Sequence, residues 1–540
     1  MSQSKLAKFI IDQIKHKNVK SIFGVPGDYN LAFLDYFIHD SKLQWVGNCN
    51  ELNAAYAADG YARIKGFGVL VTTYGVGELS AINGVAGSYA EHVPVLHIVG
   101  YPKTTVLNEK LPVHHSLANK DPECFLRSVR SFTCEAELIA SDTAACQILK
   151  VIDRITETQL PGVIALPCDL LETMINTNTE KTQLSRDELP DITKFTKLFN
   201  QAKTPIILVG ADVRRFSWQE EVLSLIESTN IPFVTTFMGK TVLPESHPNY
   251  MGLYAGDLSS DSVQNYIENS DCIISVGTQQ TDFNTGGFSD QYSHLDNHIK
   301  IKWNYIEIQK DIYRDVDVKA LLSLLTRHLK KSENPVEINF SPQKISHSSA
   351  WEQKNFWRYA AQKIIKDDDT VFAEAGTSLF GILPEYIPSN ARLYSQILWS
   401  SIGYTLPAAF GASLANNGQR VILFIGDGSF QLTAQELCRI AYEKTNVMII
   451  FINNDGYTVE RAIHGPNEKY NDIPRWDYSS FAKSLGFENT EKIDNFIDLN
   501  HCIDKYDTIN EPVFLECFFK KEDSPRLLLD VAEKIKSQNK

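Results

Sequence analysis

The stretch Val421–Glu460, VILFIGDGSFQLTAQELCRIAYEKTNVMIIFINNDGYTVE, constrains the fold more than any other part of this chain. Its first apolar run, Val421–Ile425, ends in Gly426-Asp427-Gly428. A helix-like stretch follows, and a second apolar run, Met448–Ile452, ends in Asn453-Asn454-Asp455-Gly456. Short apolar runs bounded by turn residues read as buried strands, so the unit is strand–helix–strand with parallel strands. Both turns then lie at the carboxyl ends of the strands, the edge where open α/β sheets bind ligands. The Asp427 carboxylate, the Asn454 amide oxygen and the Gly456 carbonyl are hard oxygen donors. Such a set suits a small divalent cation whose other positions go to phosphate oxygens and water.

The pattern recurs along the chain. Val69–Thr73, Val95–Val99 and Val163–Leu166 alternate with helical patterns, then Pro205–Gly210, Phe233–Phe237, Cys272–Gly277 and Ile301–Ile308, then Thr370–Ala373 and Val513–Phe518. Buried parallel strands have this composition. Two polar segments without apolar periodicity, Asn176–Asp191 and Lys330–Ala350, separate three α/β stretches, as domain connections do. A length of 540 residues exceeds one core and agrees with three domains. Whether the first and last stretches repeat one fold is not decided by the residues.

Composition excludes more than it identifies. A net charge of −14 disfavours nonspecific binding to nucleic acid or anionic membrane. The start, MSQSKLAKFIIDQIKHK, reads as an amphipathic helix without the apolar core of a signal peptide, and no apolar run is long enough to span a membrane. Nine cysteines, odd in number and without a C-x-x-C pair, fit reduced thiols in a cytoplasmic protein. No dinucleotide fingerprint, no G-K-[ST] phosphate loop and no paired zinc pattern is present.

Several further residues could carry chemistry, each with a plainer alternative. Glu51, in WVGNCNELNAAYAADGYAR, opens a helix, where a solvated glutamate complements the dipole. Asp28 follows the Gly24-Val25-Pro26-Gly27 turn, a common place for aspartate. His114-His115, in LPVHHSLANKD, reads as polar loop residues or as a proton shuttle. Glu374-Ala375-Gly376-Thr377-Ser378 ends a strand and opens a helix, either an N-cap or a phosphate cradle, and Ser429 is a comparable donor. Glu460 opens a helix six residues past Asn454.

Taken in order and spacing, GVPGD, the Glu51 helix, His114-His115, EAGTS, and GDG with NNDGYTVE resemble the thiamine diphosphate enzymes. The nearest branch is the 2-oxo acid decarboxylases: pyruvate, branched-chain 2-oxo acid and indolepyruvate decarboxylases. The resemblance spans essentially the whole chain. It implies three α/β domains with largely parallel sheets: a pyrimidine-binding domain at 1–180, a central domain without cofactor at 190–335, and a diphosphate-binding domain at 350–540. It implies thiamine diphosphate and Mg²⁺, with Asp427, Asn454 and the Gly456 carbonyl on the metal. Thr377, Ser378, Ser400, Ile402, Gly426, Asp427, Gly428, Ser429, Asn454, Gly456 and Tyr457 would contact the cofactor. Glu51 would bind a ring nitrogen of its aminopyrimidine, and Ile402 would wedge beneath it.

In that branch Asp28, His114 and His115 transfer protons as a coupled cluster. A partly buried Glu460 with a raised pKa would act at the reactive end. The family usually has glycine where this chain has Ser400. The resemblance further implies a small 2-oxo acid substrate and a homodimer or homotetramer with the cofactor at the subunit interface. Phe283, Leu379, Val459 and Val531 would form an apolar substrate wall, favouring short or branched aliphatic 2-oxo acids over indolepyruvate and phenylpyruvate. The alternatives are an indolepyruvate or phenylpyruvate decarboxylase, a benzoylformate-type decarboxylase, a carboligase of the acetolactate synthase type, or a silent cofactor-binding protein. In GADVRRFSW, Arg214-Arg215 stand where some fungal relatives have a regulatory cysteine, so hyperbolic kinetics are expected.

Overall fold

Runs of β-branched and apolar residues, each ended by glycine, proline or a polar turn, build three large sheets, beside one two-stranded pairing near the N-terminus. The computed structural model describes residues 3–178, 189–292, 297–332, 345 and 349–539. The first sheet is all parallel, in the order Gln44–Gly47, Ser21–Gly24, Gly68–Thr73, Val95–Tyr101, Gly162–Pro167, Ala136–Leu138. The last sheet is also all parallel: Arg392–Tyr394, Thr370–Ala373, Val421–Gly426, Val447–Asn453, Val513–Phe518, Asn489–Ile493. Numbered along the chain within each domain, both read 2-1-3-4-6-5. The outer domains therefore share one doubly wound topology. Central strands such as Gly68–Thr73 and Val95–Tyr101 are buried at every residue, which is why they carry apolar side chains on both faces.

The middle sheet departs from the all-parallel pattern. Tyr250–Leu253, Phe233–Thr235, Pro205–Val209, Cys272–Val276 and His298–Ile301 run parallel, followed by antiparallel Tyr305–Ile308 and Asp311–Arg314. The run Ile301–Ile308, one strand from its composition, is two: the chain turns at 302–304 and Lys300 pairs with Glu307 across the hairpin. At the N-terminus the expected helix is Leu6–His16, preceded by a strand, Gln3–Lys5, that pairs antiparallel with Met174–Asn176. The two expected linkers lie largely outside the described residues. Among the described residues no helix is long and apolar enough to cross a membrane.

One hydrophobic core runs from the first sheet into the last, taking in Val69 and Leu96 as well as Val421 and Ile449. Its centre is the crossing of two helices, Glu51–Lys65 and Thr405–Ala415. A Cβ added at Gly60 would stand 2.0 Å from the Ala408 carbonyl oxygen, and one at Gly411 would stand 1.9 Å from that of Ala57. The two backbones touch because both glycines lack side chains. Beside them Asp59 accepts from Arg63 Nε at 2.6 Å and from Ser88 Oγ at 2.8 Å, while Arg63 also donates to the Ser395 carbonyl.

Candidate active site

In a 2-1-3-4-6-5 sheet the crossovers leave on opposite faces at strands 1 and 3, and a crevice opens beyond their carboxyl ends. In the C-terminal domain these strands are Thr370–Ala373 and Val421–Gly426. A cavity of about 250 Å³ lies there. Its walls include Thr377, Ser378, Ser400, Ile402, Gly426, Asp427, Gly428, Ser429, Asn454, Gly456, Tyr457 and Glu460, together with Phe283, Leu379 and Val459.

Asp427 is the first residue of the helix Asp427–Thr433 and is buried. Its carboxylate accepts from the N–H groups of Gly428 (2.8 Å), Asn454 (3.2 Å) and Gly456 (3.1 Å), so it ties the two turns together. Burial nonetheless pushes its carboxyl up to about 7, and the neighbouring acid Asp455 adds to the rise. A buried acid in that position suits a cation. Asn454, also buried, donates Nδ2 to Thr458 Oγ1, which leaves its amide oxygen for a ligand. Gly456 has φ 116°, and a Cβ there would meet the Asn471 carbonyl oxygen at 2.2 Å. The buried Arg461 guanidinium gathers the Asp455 and Asn471 carbonyls and the Asp472 carboxylate, fixing this turn from behind.

The opposite wall offers hydrogen-bond donors. Gly376, with φ 131°, leads into the helix Thr377–Ile382, and the buried Ser378 hydroxyl has no hydrogen-bond partner. An orphaned hydroxyl at this depth is costly unless a ligand engages it. Gly428 keeps the wall thin, since a Cβ there would stand 2.6 Å from the Tyr457 ring. These donors, together with the oxygen set around Asp427, fit a diphosphate held through a divalent cation.

Ser400 takes φ 50°, the left-handed region in which glycine is easiest, which accounts for the family's usual residue. Its Oγ donates to the Ile397 carbonyl at 2.6 Å. The surrounding loop is held by the N-terminal domain: buried Glu91 accepts from the Leu398 and Trp399 N–H groups, and Tyr56 and Asn83 bond Ser401.

Glu51, Asp28, His114 and His115 do not line this cavity. Asp28 and Glu51 lie beyond the carboxyl ends of the first-sheet strands Ser21–Gly24 and Gln44–Gly47. Asn50 caps the helix that Glu51 opens, accepting from Asn53 N–H at 2.8 Å. Asp28 and His114 Nε2 are 2.6 Å apart, Tyr29 stacks on the His114 ring, and one ligating atom from each of Asp28, His114 and His115 lies within 4.8 Å of the others. Asp28 and His114 are about half exposed. The structure thus brings Asp28, His114 and His115 together, apart from the cavity on whose wall Glu460 stands.

Two expectations need correction. Val531 does not line the cavity: it is buried in the C-terminal core, and Ile535, one turn further along the helix Arg526–Gln538, reaches the wall instead. Glu460 lines the cavity but is exposed, so the partly buried setting expected for it is absent in the single protomer. Sequence reasoning passed over Glu374. It is buried at the cavity, accepts from Thr405 Oγ1 and N–H, and has its carboxyl raised by burial to about 7. Its place at the head of EAGTS was the available signal.

Two doubly wound domains of identical strand order, one with a cavity lined by oxygen donors and the other with a cluster of acids and histidines, point to a thiamine diphosphate enzyme. Comparison with known proteins agrees. Residues 4–121 match the N-terminal TPP binding domain of thiamine pyrophosphate enzymes, 192–329 their central domain and 383–517 their C-terminal TPP binding domain. The chain belongs to this family. Among its curated relatives, pyruvate decarboxylase isozyme 3 of Saccharomyces cerevisiae is 38% identical over 91% of this chain and 90% of its own length. The pyruvate decarboxylase of Candida glabrata is 39% identical over 91% and 90%. That of Aspergillus fumigatus is 36% identical over 99% and 97%.

Proposed function

We propose that this chain decarboxylates short or branched aliphatic 2-oxo acids, pyruvate foremost, to an aldehyde and carbon dioxide, using thiamine diphosphate and Mg²⁺. The observation that carries the reading is the single cavity joining a phosphate-and-cation wall to an uncharged wall of Phe283, Leu379 and Val459. Relatives named as pyruvate decarboxylases over nine-tenths of the chain support it. Thiamine diphosphate, when bound, supplies the electron sink into which the carboxylate bond breaks.

The chain's residues do the rest. Asp427, Asn454 and the Gly456 carbonyl would hold Mg²⁺, and Thr377, Ser378 and Ser429 would donate to phosphate oxygens. Glu51 would hold a proton at the pyrimidine ring nitrogen, and Ile402 would set the cofactor's bend. Glu460 and the Asp28–His114–His115 cluster would deliver protons, with His114 Nε2 oriented by Asp28 at 2.6 Å. Among the described residues no arginine or lysine lines the cavity, which disfavours a second carboxylate on the substrate. Comparison of 2-oxo acids in one decarboxylation assay tests this. Pyruvate or 2-oxoisovalerate should lead, and a kcat/KM for indolepyruvate above both would overturn the substrate assignment.

A homodimer at minimum belongs to the same reading, because Glu51 and the histidine cluster stand outside the cavity of their own chain. Each site would join the N-terminal half of one protomer to the C-terminal half of the other. Mixing inactive Glu51→Gln and Asp427→Asn proteins should then restore activity, since one site of a mixed dimer is intact. Absence of complementation would refute the shared site. A cytoplasmic setting fits nine cysteines that are all free thiols.

A further inference from the structure

Two cysteines far apart in sequence meet where the N- and C-terminal domains of one chain join. Cys49 Sγ and Cys438 Sγ are 3.4 Å apart across 389 residues. No other pair of cysteine sulfurs among the described residues is in hydrogen-bond contact. Glu436 fixes the meeting: its buried carboxylate accepts from Asn48 Nδ2 (2.7 Å), Asn53 Nδ2 (2.8 Å) and the Cys49 N–H (3.3 Å). The loop before Glu51 is thereby anchored to the start of the helix Leu437–Glu443, which carries Cys438. Cys49 is exposed and Cys438 half-buried, so a small reagent has a path to the pair.

We propose that Cys49 and Cys438 form a redox-active dithiol, a modification site that takes a low-molecular-weight disulfide and closes into a covalent link between the two domains. The sulfurs need to approach by about 1.4 Å to reach the disulfide length of about 2.0 Å. Cys438 is the attacking group. Either S–H can donate to the other sulfur, and this bond favours one thiolate in the pair: it lowers Cys438, while the same bond, with burial and Glu436, raises Cys49. The Cys438 thiolate attacks one sulfur of the small disulfide, expelling one thiolate and leaving a mixed disulfide. The Cys49 proton passes to the expelled thiolate. Cys49 sulfur then attacks Cys438 sulfur and the second small thiol leaves. Two electrons move from the protein dithiol to the reagent, and two small thiols result.

The link would stand two residues before Glu51 at one end and in the helix after the Asp427–Thr433 segment at the other. It would close a covalent path between the two halves of the catalytic apparatus in one protomer. In a reducing compartment such a pair rests as the dithiol and links only under oxidative load.

The test uses cofactor-loaded enzyme and oxidised glutathione. After blocking of free thiols and proteolysis without reductant, the Cys49 peptide should be found joined to the Cys438 peptide. Two of the nine thiols should be lost per chain, two reduced glutathiones released, and both changes reversed by reductant. The linked enzyme should melt at a higher temperature than the reduced one, and Cys438→Ser should abolish that shift. Cys49→Ser should instead trap glutathione on Cys438. The proposal is overturned if the wild type keeps all its thiols, stops at a mixed disulfide, links Cys49 between two chains, or melts no higher when linked.

Discussion

Gly411→Ala probes the contact on which the relation between the two cofactor-binding domains depends. The added Cβ would stand 1.9, 2.6 and 2.9 Å from the Ala57 carbonyl oxygen, its carbon and Ala57 Cα, all of them backbone atoms in the middle of a helix. None can rotate away, so the helices Glu51–Lys65 and Thr405–Ala415 must move apart by over an ångström. Overpacking of a core costs about 1–3 kcal/mol, and an unyielding backbone on both sides puts this site at about 3. Replacing a mid-helix glycine by alanine returns roughly 0.5–1 kcal/mol of helix propensity. The net is a destabilisation of about 2 kcal/mol, or roughly 4 °C at about 2 °C per kcal/mol for a large folding unit. Gly60→Ala meets Ala408 at 2.0 Å and should behave alike. The double variant should cost clearly less than the sum, because helices already separated by one methyl admit the second. Differential scanning calorimetry decides, with Gly47→Ala, whose nearest contact would be 3.6 Å, as the neutral control. Either single variant melting above the wild type would refute the reasoning, since propensity alone would then have governed. Turnover should fall with stability, because the two helices carry Glu51 and follow the Ile402 loop.

Ser378→Ala should raise the stability of the cofactor-free protein by about 1 kcal/mol, by removing a buried unpartnered hydroxyl, yet weaken thiamine diphosphate binding; calorimetry and a binding titration give the two signs. Glu51→Gln should abolish most turnover with the melting temperature unchanged, and near-normal turnover would remove its assigned role. Glu374 is raised from 4.5 to about 7, so the folded chain binds the proton more tightly and its stability falls as pH rises through that window. The Glu374 share of that loss is at most about 3 kcal/mol, and Glu374→Gln should flatten the slope in urea unfolding between pH 4 and 8 by that share, with Asp427 leaving the remainder. Chelation of divalent ions should release the cofactor and lower the melting temperature, while full activity after exhaustive removal would eliminate the Asp427 site. Initial rates should be hyperbolic in pyruvate, and a sigmoidal curve would place regulation in this chain after all.

The local chemistry of this protein was written in its sequence. Strands such as Val421–Gly426 and Val447–Asn453 announce themselves because a buried parallel strand needs apolar side chains on both faces. The turns that follow them carry Asp427 and Asn454 within one strand–helix–strand unit, so their meeting needs no knowledge of the rest of the chain. The contacts of the Asp427 carboxylate with the Asn454 and Gly456 N–H groups follow from that short range. Tertiary structure decided what depends on distance between helices and domains. The identical strand order of the outer domains appears only when six strands find their neighbours. Val531 and Ile535 share a helix face, and only the depth at which that helix enters the domain selects Ile535 for the wall. Ser400 adopts a positive φ because its loop is pinned by Glu91, Tyr56 and Asn83 from another domain. The separation of Glu51 and the histidine pair from their own chain's cavity is likewise tertiary, and the meeting of Cys49 with Cys438 is set by Glu436, which takes hydrogen bonds from Asn48, Asn53 and Cys49. Sequence periodicity reports which face of an element is buried; it carries no measure of how closely two such faces approach.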